Sequence, residues 1–442
     1  METGCVKFPA PLDADFQPAV LAARRHRRQA AVPLVIALER EGGRVSRYET
    51  VVNPDAPAAA RSIDRLVKFL LWARGGWRLY LDGPRAVGER VTVRDFDRQI
   101  MERIYERPFE IVLGAAPPAQ EAVARLGGHR DGCRLGFDLG ASDYKVAAVV
   151  DGEAVFSAEF PWDPVTQPDP EYHYRLLHDG LKKAAAHLPR VEAIGGSTAG
   201  AVVDNQLRSA SLFRSVPAAD FARAKTIFLR LRDEWRVPVA VANDGDVTAL
   251  AGAMTLGVTG LLGVAMGSSQ AAGWIDRQGM MTGWINELAF TPVDENPQAA
   301  VDEWSGDRGV GAQYFSQQAV NKLLPAAGIA VPAGMPLPER LLEVQALMAR
   351  GDRRAEKIYE TLGVYLGYTV PHYAEFYELA HLLVLGRVTT GEGGNIILAK
   401  AREVLGAEFP EVAARVALHL PDEKTKRLGQ AVAAASLPEI RR

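Results

Sequence analysis

Apolar runs of strand length, separated by glycine-containing turns and by stretches of helical spacing, divide the chain into a first unit and a longer, more regular remainder. Val32 to Leu38 and Val45 to Val52 flank Gly42-Gly43 and predict a β-hairpin. After Ser62, the residues Ile63, Leu66, Val67, Leu70 and Leu71 recur at the spacing of an amphipathic helix that Gly75-Gly76 would stop, and Trp77 to Leu81 reads as a strand. A loop-like run from Gly127 to Gly132 ends this unit, residues 1–130. It carries no phosphate loop and no cluster of catalytic residue types, and its basic run from Arg24 to Arg28 reads as a solvated helix face.

The remainder alternates more evenly. Leu135 to Leu139, Tyr144 to Val150 and Val155 to Phe160 predict three strands, the last two joined at Asp151-Gly152. A helix from Tyr172 to His187, a strand from Val191 to Ile194, a helix from Phe221 to Trp235 and a strand from Val237 to Val241 follow, which gives a mixed sheet covered by helices. A second round begins with strands Leu261 to Met266 and Ala271 to Ile275. It continues through helical stretches Ala312 to Leu324 and Pro338 to Phe376, strand His381 to Leu385, and a glycine-containing loop from Gly386 to Gly394 before another helix. Two rounds of similar order imply a duplicated architecture with a cleft between its lobes.

Composition narrows the function classes. The 442 residues exceed one ordinary core. A net charge of −3 gives no overall field to draw in nucleic acid or an anionic membrane, so neither is expected as a partner. No uninterrupted apolar run approaches the roughly 18 residues of a membrane span, and no basic region followed by an apolar stretch opens the chain. The expectation is a cytoplasmic enzyme or binding protein. Cys5 and Cys133 match no metal or redox spacing, which argues against an all-cysteine zinc or iron–sulfur site within one chain.

Candidate chemistry lies at four turns. Gly140, Ala141 and Ser142, between two strands, would let backbone N–H groups approach a phosphate, with Asp138 suited to hold Mg²⁺ through water; a hairpin turn with a surface Asp accounts for the same residues. Gly267, Ser268 and Ser269 offer hydroxyls and small side chains between the next strand pair. The run from Gly386 to Gly394, with Gly391 inside it, lies between a strand and a helix, as in a nucleotide crevice at the carboxyl ends of strands. Asn243-Asp244 ends a strand where a helix begins, a corner that presents a general base or simply caps a helix starting near Val247.

In this order and spacing, Asp138, Gly140 and Ser142, the Asn243-Asp244 corner, the loop at Gly267, Glu287 and the loop at Gly386 resemble the ROK (repressor, open reading frame, kinase) sugar kinases of the actin-like ATPase superfamily, over residues 133–440. The resemblance implies an α/β, two-lobed actin-like ATPase (ribonuclease H-like) fold with an additional N-terminal α/β unit. Residues 1–130 would be the accessory unit, 131–256 the first lobe and 257–442 the second, with Asp422 to Ala435 similar to the family's closing helix. It further implies an ATP-dependent carbohydrate kinase and a homodimer. ATP would be bound at Asp138, Gly140, Ser142, Gly267, Ser268, Ser269, Gly386 and Gly391, with Mg²⁺ held through water by Asp138. A sugar or sugar-like polyol would be held by Ser197, Thr198, Gly200, Asn243 and Glu287, and Asp244 would be the general base.

The chain also departs from the family. The family's zinc-binding His and three Cys fall on Phe290, Glu303, Ser305 and Val310, so zinc is expected to be absent, although Gly306, Gly309, Tyr314 and Ser316 keep register. Phe290 also replaces a sugar-contacting His, and Ala312, beside Gln313, a second substrate Glu. Ala141, Met266, Gln270 and Arg387 alter or crowd the nucleotide loops. These losses keep an alternative open, a non-catalytic sugar-sensing or regulatory relative, although residues 1–130 show no helix-turn-helix pattern.

Overall fold

A computed structural model describes residues 6–55, 59–121, 126–421 and 429–440; Cys5 and residues 422–428 of the expected closing segment lie outside them. The first unit contains helix α1 (Ala19–Arg28), strands β1 (Val32–Glu39) and β2 (Val45–Val52), α2 (Ala59–Arg74), β3 (Arg78–Asp82), α3 (Arg85–Gly88), α4 (Asp95–Tyr105) and β4 (Glu110–Leu113). Its sheet has the order β2-β1-β3-β4, and the expected hairpin is present with Val32 opposite Val52. The predicted helix runs from residue 59 to 74, and its apolar stripe of Ile63, Val67, Leu70 and Leu71 is buried. Helix α4 and strand β4, which the sequence reading left unassigned, complete the unit.

The second sheet, in the order β11-β8-β5-β6-β7, comprises β5 (Cys133–Leu139), β6 (Asp143–Val150), β7 (Glu153–Pro161), β8 (Ala193–Thr198) and β11 (Val239–Asn243). The meander β5–β7 is antiparallel, while β8 and β11 run parallel to β5. A small hairpin of β9 (Ala201–Val203) and β10 (Gln206–Ser209) stands apart. Its turn residues Asp204 and Asn205 both have positive φ, the backbone of a tight hairpin turn that Asp and Asn tolerate. Around the sheet lie α5 (Pro170–Ala185), α6 (Phe221–Lys225), α7 (Ile227–Trp235) and α8 (Asp244–Leu256). The predicted helix from 221 to 235 is thus two helices.

The third sheet, β13-β12-β14-β15, uses β12 (Leu261–Met266), β13 (Gln270–Ile275), β14 (His381–Leu385) and β15 (Ala417–His419). Its helices are α9 (Gln317–Leu323), α10 (Leu337–Ala349), α11 (Arg353–Tyr373), α12 (Glu392–Glu408) and α13 (Pro410–Ala413). The stretch expected as one helix from 338 to 376 breaks before Asp352, whose carboxylate caps α11 through the Arg354 N–H. A last helix, α14 (Gln430–Ala435), returns to pack on β5 and β8 of the second sheet. No helix of the described residues is long and apolar enough to cross a membrane.

Two packing features position the cleft. Gly245, in the first turn of α8, and Gly273, on β13, meet backbone to backbone: a Cβ on Gly273 would lie 2.2 Å from the Gly245 carbonyl oxygen. The start of α8 is thereby pressed against the hairpin of the third sheet. Secondly, the first unit has no core of its own. Leu70, Trp72 and Met101 belong to one continuous buried cluster with Leu262, Tyr373 and Leu382 of the third sheet and its helices.

Candidate active site

Strand β11 delivers Asn243 and α8 begins at Asp244, so the predicted corner is present, but the cap is Asn243 and not Asp244. The Asn243 Oδ1 accepts the Gly245 N–H at 2.7 Å, and its Nδ2 donates to the Gly200 carbonyl at 2.9 Å. The Asp244 Oδ1 also accepts the Gly245 N–H, at 2.9 Å. The helix therefore starts three residues before Val247, and Asp244 is not needed as its cap. Burial pushes the Asp244 carboxyl above the usual carboxylate range, against the pull of the Gly245 N–H.

Three further carboxyls surround it electrostatically. Asp138, on β5, is buried and likewise shifted up by burial, with the Ser197 hydroxyl and the Lys145 ammonium opposing and the Asp244 charge adding to the rise. Glu287 is pushed up to about 7 by burial of its carboxyl and by Asp244; the residue keeps some surface open to the cavity described below, but no side-chain donor among the described residues neutralises it. Asp246, which sequence reasoning missed, also rises to about 7, chiefly through burial; it accepts the Asn286 Nδ2 at 2.9 Å and the Trp274 N–H at 3.2 Å. Residues two apart on a helix point to different sides, so the spacing of Asp244 and Asp246 gave no hint that both serve one site. Asn286, with φ of 49°, also accepts the Tyr377 hydroxyl, so Asp246 and Tyr377 fix the peptide that carries Glu287.

The first unit holds Glu287 from the other side. The C-terminal carbonyls of α2, left without intrahelical partners, accept the next loop's N–H groups: Ala73 from Asn286 at 3.0 Å and Trp72 from Glu287 at 2.9 Å. A cavity of about 1640 Å³ opens beside this junction, and Gly200, Asn243, Asp246, Ser268, Ser269 and Glu287 are among its lining residues. Gly200, with φ of +99°, lies so near β10 that a Cβ would come within 2.0 Å of the Ser209 carbonyl oxygen. Ser197 and Thr198, expected to follow a strand and line the pocket, instead lie on β8, which runs four residues further than predicted. Both are fully buried and neither faces the cavity. Of the predicted acceptor contacts, Gly200, Asn243 and Glu287 line the cavity; Thr198 pairs with Asn243 and Ser197 with Ala242 across the sheet, outside that lining.

The three predicted phosphate loops differ. At the first, the Gly140 N–H bonds the Asp143 carbonyl at 3.0 Å and the Ser142 hydroxyl donates to the Asp143 carboxylate at 2.9 Å, which also pairs with Lys145 at 3.0 Å. Those donors are engaged within the turn, beside a carboxylate. At the second, the Gly267 N–H is likewise engaged, with the Ser269 carbonyl at 3.0 Å, while Ser268 and Ser269 are exposed at the cavity. At the third, Gly386 follows β14, and Gly391 precedes α12 with no side chain capping the helix. Its first N–H groups are therefore available to an anion, although Glu392 in the first turn opposes one. Asp138, Gly140, Ser142, Asp244, Gly267, Gly386 and Gly391 lie outside the lining of the large cavity.

The positions aligned with the zinc motif are held by other means. Phe290 packs at a tilt against Trp72 and Phe96, ring centroids 4.4 and 5.4 Å away. Ser305 is buried with its hydroxyl donating to Asp302 at 2.7 Å, and Val310 is fully buried. Asp307, in the same loop, pairs with Lys68 at 3.2 Å, Arg94 at 3.1 Å and Arg65 at 3.7 Å. Burial would raise its carboxyl, but these cations outweigh burial and hold it low. Lys68 in turn pairs with buried Asp97 at 2.7 Å, which accepts the Trp72 Nε1–H at 2.8 Å. Among the described residues, no group of three or more His, Cys, Asp and Glu is placed to hold a metal ion.

No protein-family model matches the sequence, and no curated protein matches it significantly. Solved structures do. The chain is similar to a ROK hexokinase from Thermus thermophilus, with a TM-score of 0.53 and 19% identity over 68% of this chain and 97% of that one. It is similar to a ROK family transcriptional regulator, a homologue of the E. coli MLC protein, with a TM-score of 0.55 and 19% identity over 72% and 80% of the two chains. A ROK family protein from Streptococcus pneumoniae TIGR4, solved in complex with sucrose, gives 0.51 and 13% over 68% and 96%. At these identities the likeness establishes the fold, the two-lobed α/β architecture that ROK kinases and a ROK regulator share.

Proposed function

We propose that the protein is an ATP-dependent kinase of a sugar or sugar-like polyol, with Asp244 as general base. The observation that supports this most is the desolvated Asp244 carboxyl, at the start of a helix that Asn243 caps, in electrostatic contact with Glu287 and Asp246, which line the cavity, and with Asp138 on β5. Glu287, Asn243 and Gly200 would hold the acceptor hydroxyls. Asp244 would take the proton of the reacting hydroxyl as its oxygen bonds to the γ-phosphorus and the bond from that phosphorus to the β-phosphate oxygen breaks, releasing ADP.

For the nucleotide, the uncapped start of α12 and the exposed Ser268 and Ser269 are the groups that fit a phosphate chain. Asp138, next to the Asp244 charge, is the carboxylate suited to a Mg²⁺ ion held through water. Mg²⁺, when bound, supplies positive charge to the transferring phosphoryl group. The chain's own part is to align the hydroxyl, hold its proton on Asp244 and keep water out.

The alternative, a sugar sensor or regulator without turnover, draws on the first loop, where Gly140 and Ser142 are engaged with Asp143, and on likeness to a ROK regulator. A screen of hexoses, amino sugars and cyclitols with Mg-ATP separates the two. The kinase reading expects ATP consumption with at least one acceptor that falls sharply in Asp244→Asn. Thermal stabilisation by a sugar with no ATP consumption would establish the sensor instead.

A further inference from the structure

We propose that the first unit and Trp304 form a second subsite continuous with the acceptor pocket, and that the acceptor is a glycoside whose second ring or aglycone presents an apolar face to it. The proposal rests on the kinase reading for what happens at Glu287, but binding alone can test it.

Size is the first argument. About 1640 Å³ exceeds the ~300–1,000 Å³ of ordinary small-molecule sites, and the polar groups gathered round Glu287 occupy only one part of the wall. The second is the chemistry of the rest, which is mixed: one part carries charged residues such as Arg40, Arg44, Asp204 and Arg236, and another part is apolar. Phe96 and Ile100 of α4, with Ile285 and Phe290, line the cavity with partly exposed apolar side chains, and Ala201 and Val203 of β9 face it from the second sheet's side. A site for a bare polyol has no use for such a wall; a ring with an apolar face does.

Trp304 is the third argument. It lines the same cavity and is 76% exposed, while every other Trp and Phe of the chain is buried or partly buried. It does not stand out because its loop is loose. Asp302 is buried, accepts the Ser305 N–H and hydroxyl at 2.7 Å, and donates its own N–H to the Asp307 carbonyl at 2.7 Å. Arg94, the residue preceding α4, donates to the Gly306 carbonyl at 3.1 Å and pairs with Asp307. The loop that carries Trp304 is therefore tied to the residue preceding α4, the helix that supplies Phe96 and Ile100, in the unit that also fixes the Glu287 peptide. A large, exposed apolar side chain that lines a cavity from a braced loop is what a stacking platform requires.

The test is calorimetric titration, without nucleotide, of matched sets: a hexose, its disaccharide and its phenyl glycoside, for glucose, mannose and N-acetylglucosamine. At least one glycoside should bind 10-fold or more tightly than its parent hexose, with a change in tryptophan fluorescence. Trp304→Ala and Phe96→Ala should each remove most of that gain while leaving hexose affinity within about 2-fold. Gain with the phenyl glycosides alone identifies an aglycone as the occupant, and gain with the disaccharides a second sugar. Equal binding of hexoses and glycosides, or a gain untouched by Trp304→Ala, overturns the subsite and leaves the kinase reading standing. Glycoside gain without ATP consumption by any acceptor supports the subsite and overturns the kinase.

Discussion

On the acceptor side of the cleft, Glu287 and Asp246 are desolvated carboxyls raised to about 7, and the peptide that carries Glu287 is pinned by α2, Asp246 and Tyr377. On the side proposed for the nucleotide, the Gly140 N–H, the Ser142 hydroxyl and the Gly267 N–H are bonded within their own turns, leaving the α12 start as the backbone donor set that no side chain satisfies. Desolvated carboxyls are thus gathered on the side proposed for the acceptor. Buried groups held short of satisfaction are costly, and such cost persists where a ligand relieves it. Under the proposed reading, the side assigned to the acceptor is the more specialised half of this cleft.

The largest effect should come at the point where the two sides meet. Asp244→Asn should lower phosphoryl transfer by on the order of 10²–10⁴-fold in a coupled ADP assay, with ATP affinity by titration little changed. Because burial raises this carboxyl, the acid limb of the pH–rate profile should lie above the ordinary aspartate range.

Next is the ion-pair cluster that backs the acceptor side. Lys68→Met leaves Asp97 buried beside Asp307 without its cation and should destabilise the fold by about 3 kcal/mol in denaturant unfolding. Adding Asp97→Asn should recover much of the loss. Recovery failing in the double variant would mean that packing at Lys68, and not charge, matters there.

A smaller effect concerns pH. Glu287 and Asp246, raised to about 7, keep in the folded state protons that the unfolded chain releases at lower pH, so stability falls as pH rises from about 4.5 to 7 and is lowest above that window. Glu287→Gln removes one of the two. It should raise the melting temperature by on the order of 2 °C or more at pH 8 and change it little at pH 4. An equal shift at both pH values would mean the carboxyl is not desolvated.

The smallest effect probes the other side. Ser142→Ala removes a hydroxyl already committed to Asp143 and should change stability by less than about 0.5 kcal/mol and the KM for ATP by less than about 3-fold. A 10-fold rise in that KM would break the contrast drawn above, by showing that the hydroxyl leaves Asp143 to serve the nucleotide.

Much of this frame was legible in the residues. Both hairpins of the large sheets, the Asn243-Asp244 corner and the strand ending at Leu385 follow from apolar runs bounded by turn residues, which are local signals. What escaped was tertiary. Phe96 and Trp72 sit at ordinary helix positions, and only the docking of the first unit turns one into cavity wall and the other into the support of Glu287. The apolar run that predicts a strand stops at Ile194, whereas β8 continues through the small residues to Thr198 and buries Ser197 and Thr198. The β9–β10 hairpin was missed although Asp204-Asn205 is a turn signal, its flanking runs being three and four residues long.

Glu106, just past α4, reaches the second sheet's flank and pairs there with Arg208 and with Lys225, the latter at 2.6 Å. The first unit is therefore welded to one lobe through a shared core and latched to the other through charge, beside a smaller apolar contact made by Ala201 and Val203 of β9. A weld is indifferent to ionic strength and a latch is not. Added salt should loosen this latch while leaving the weld intact, making the ease with which the cleft opens a property of the medium as well as of the ligand.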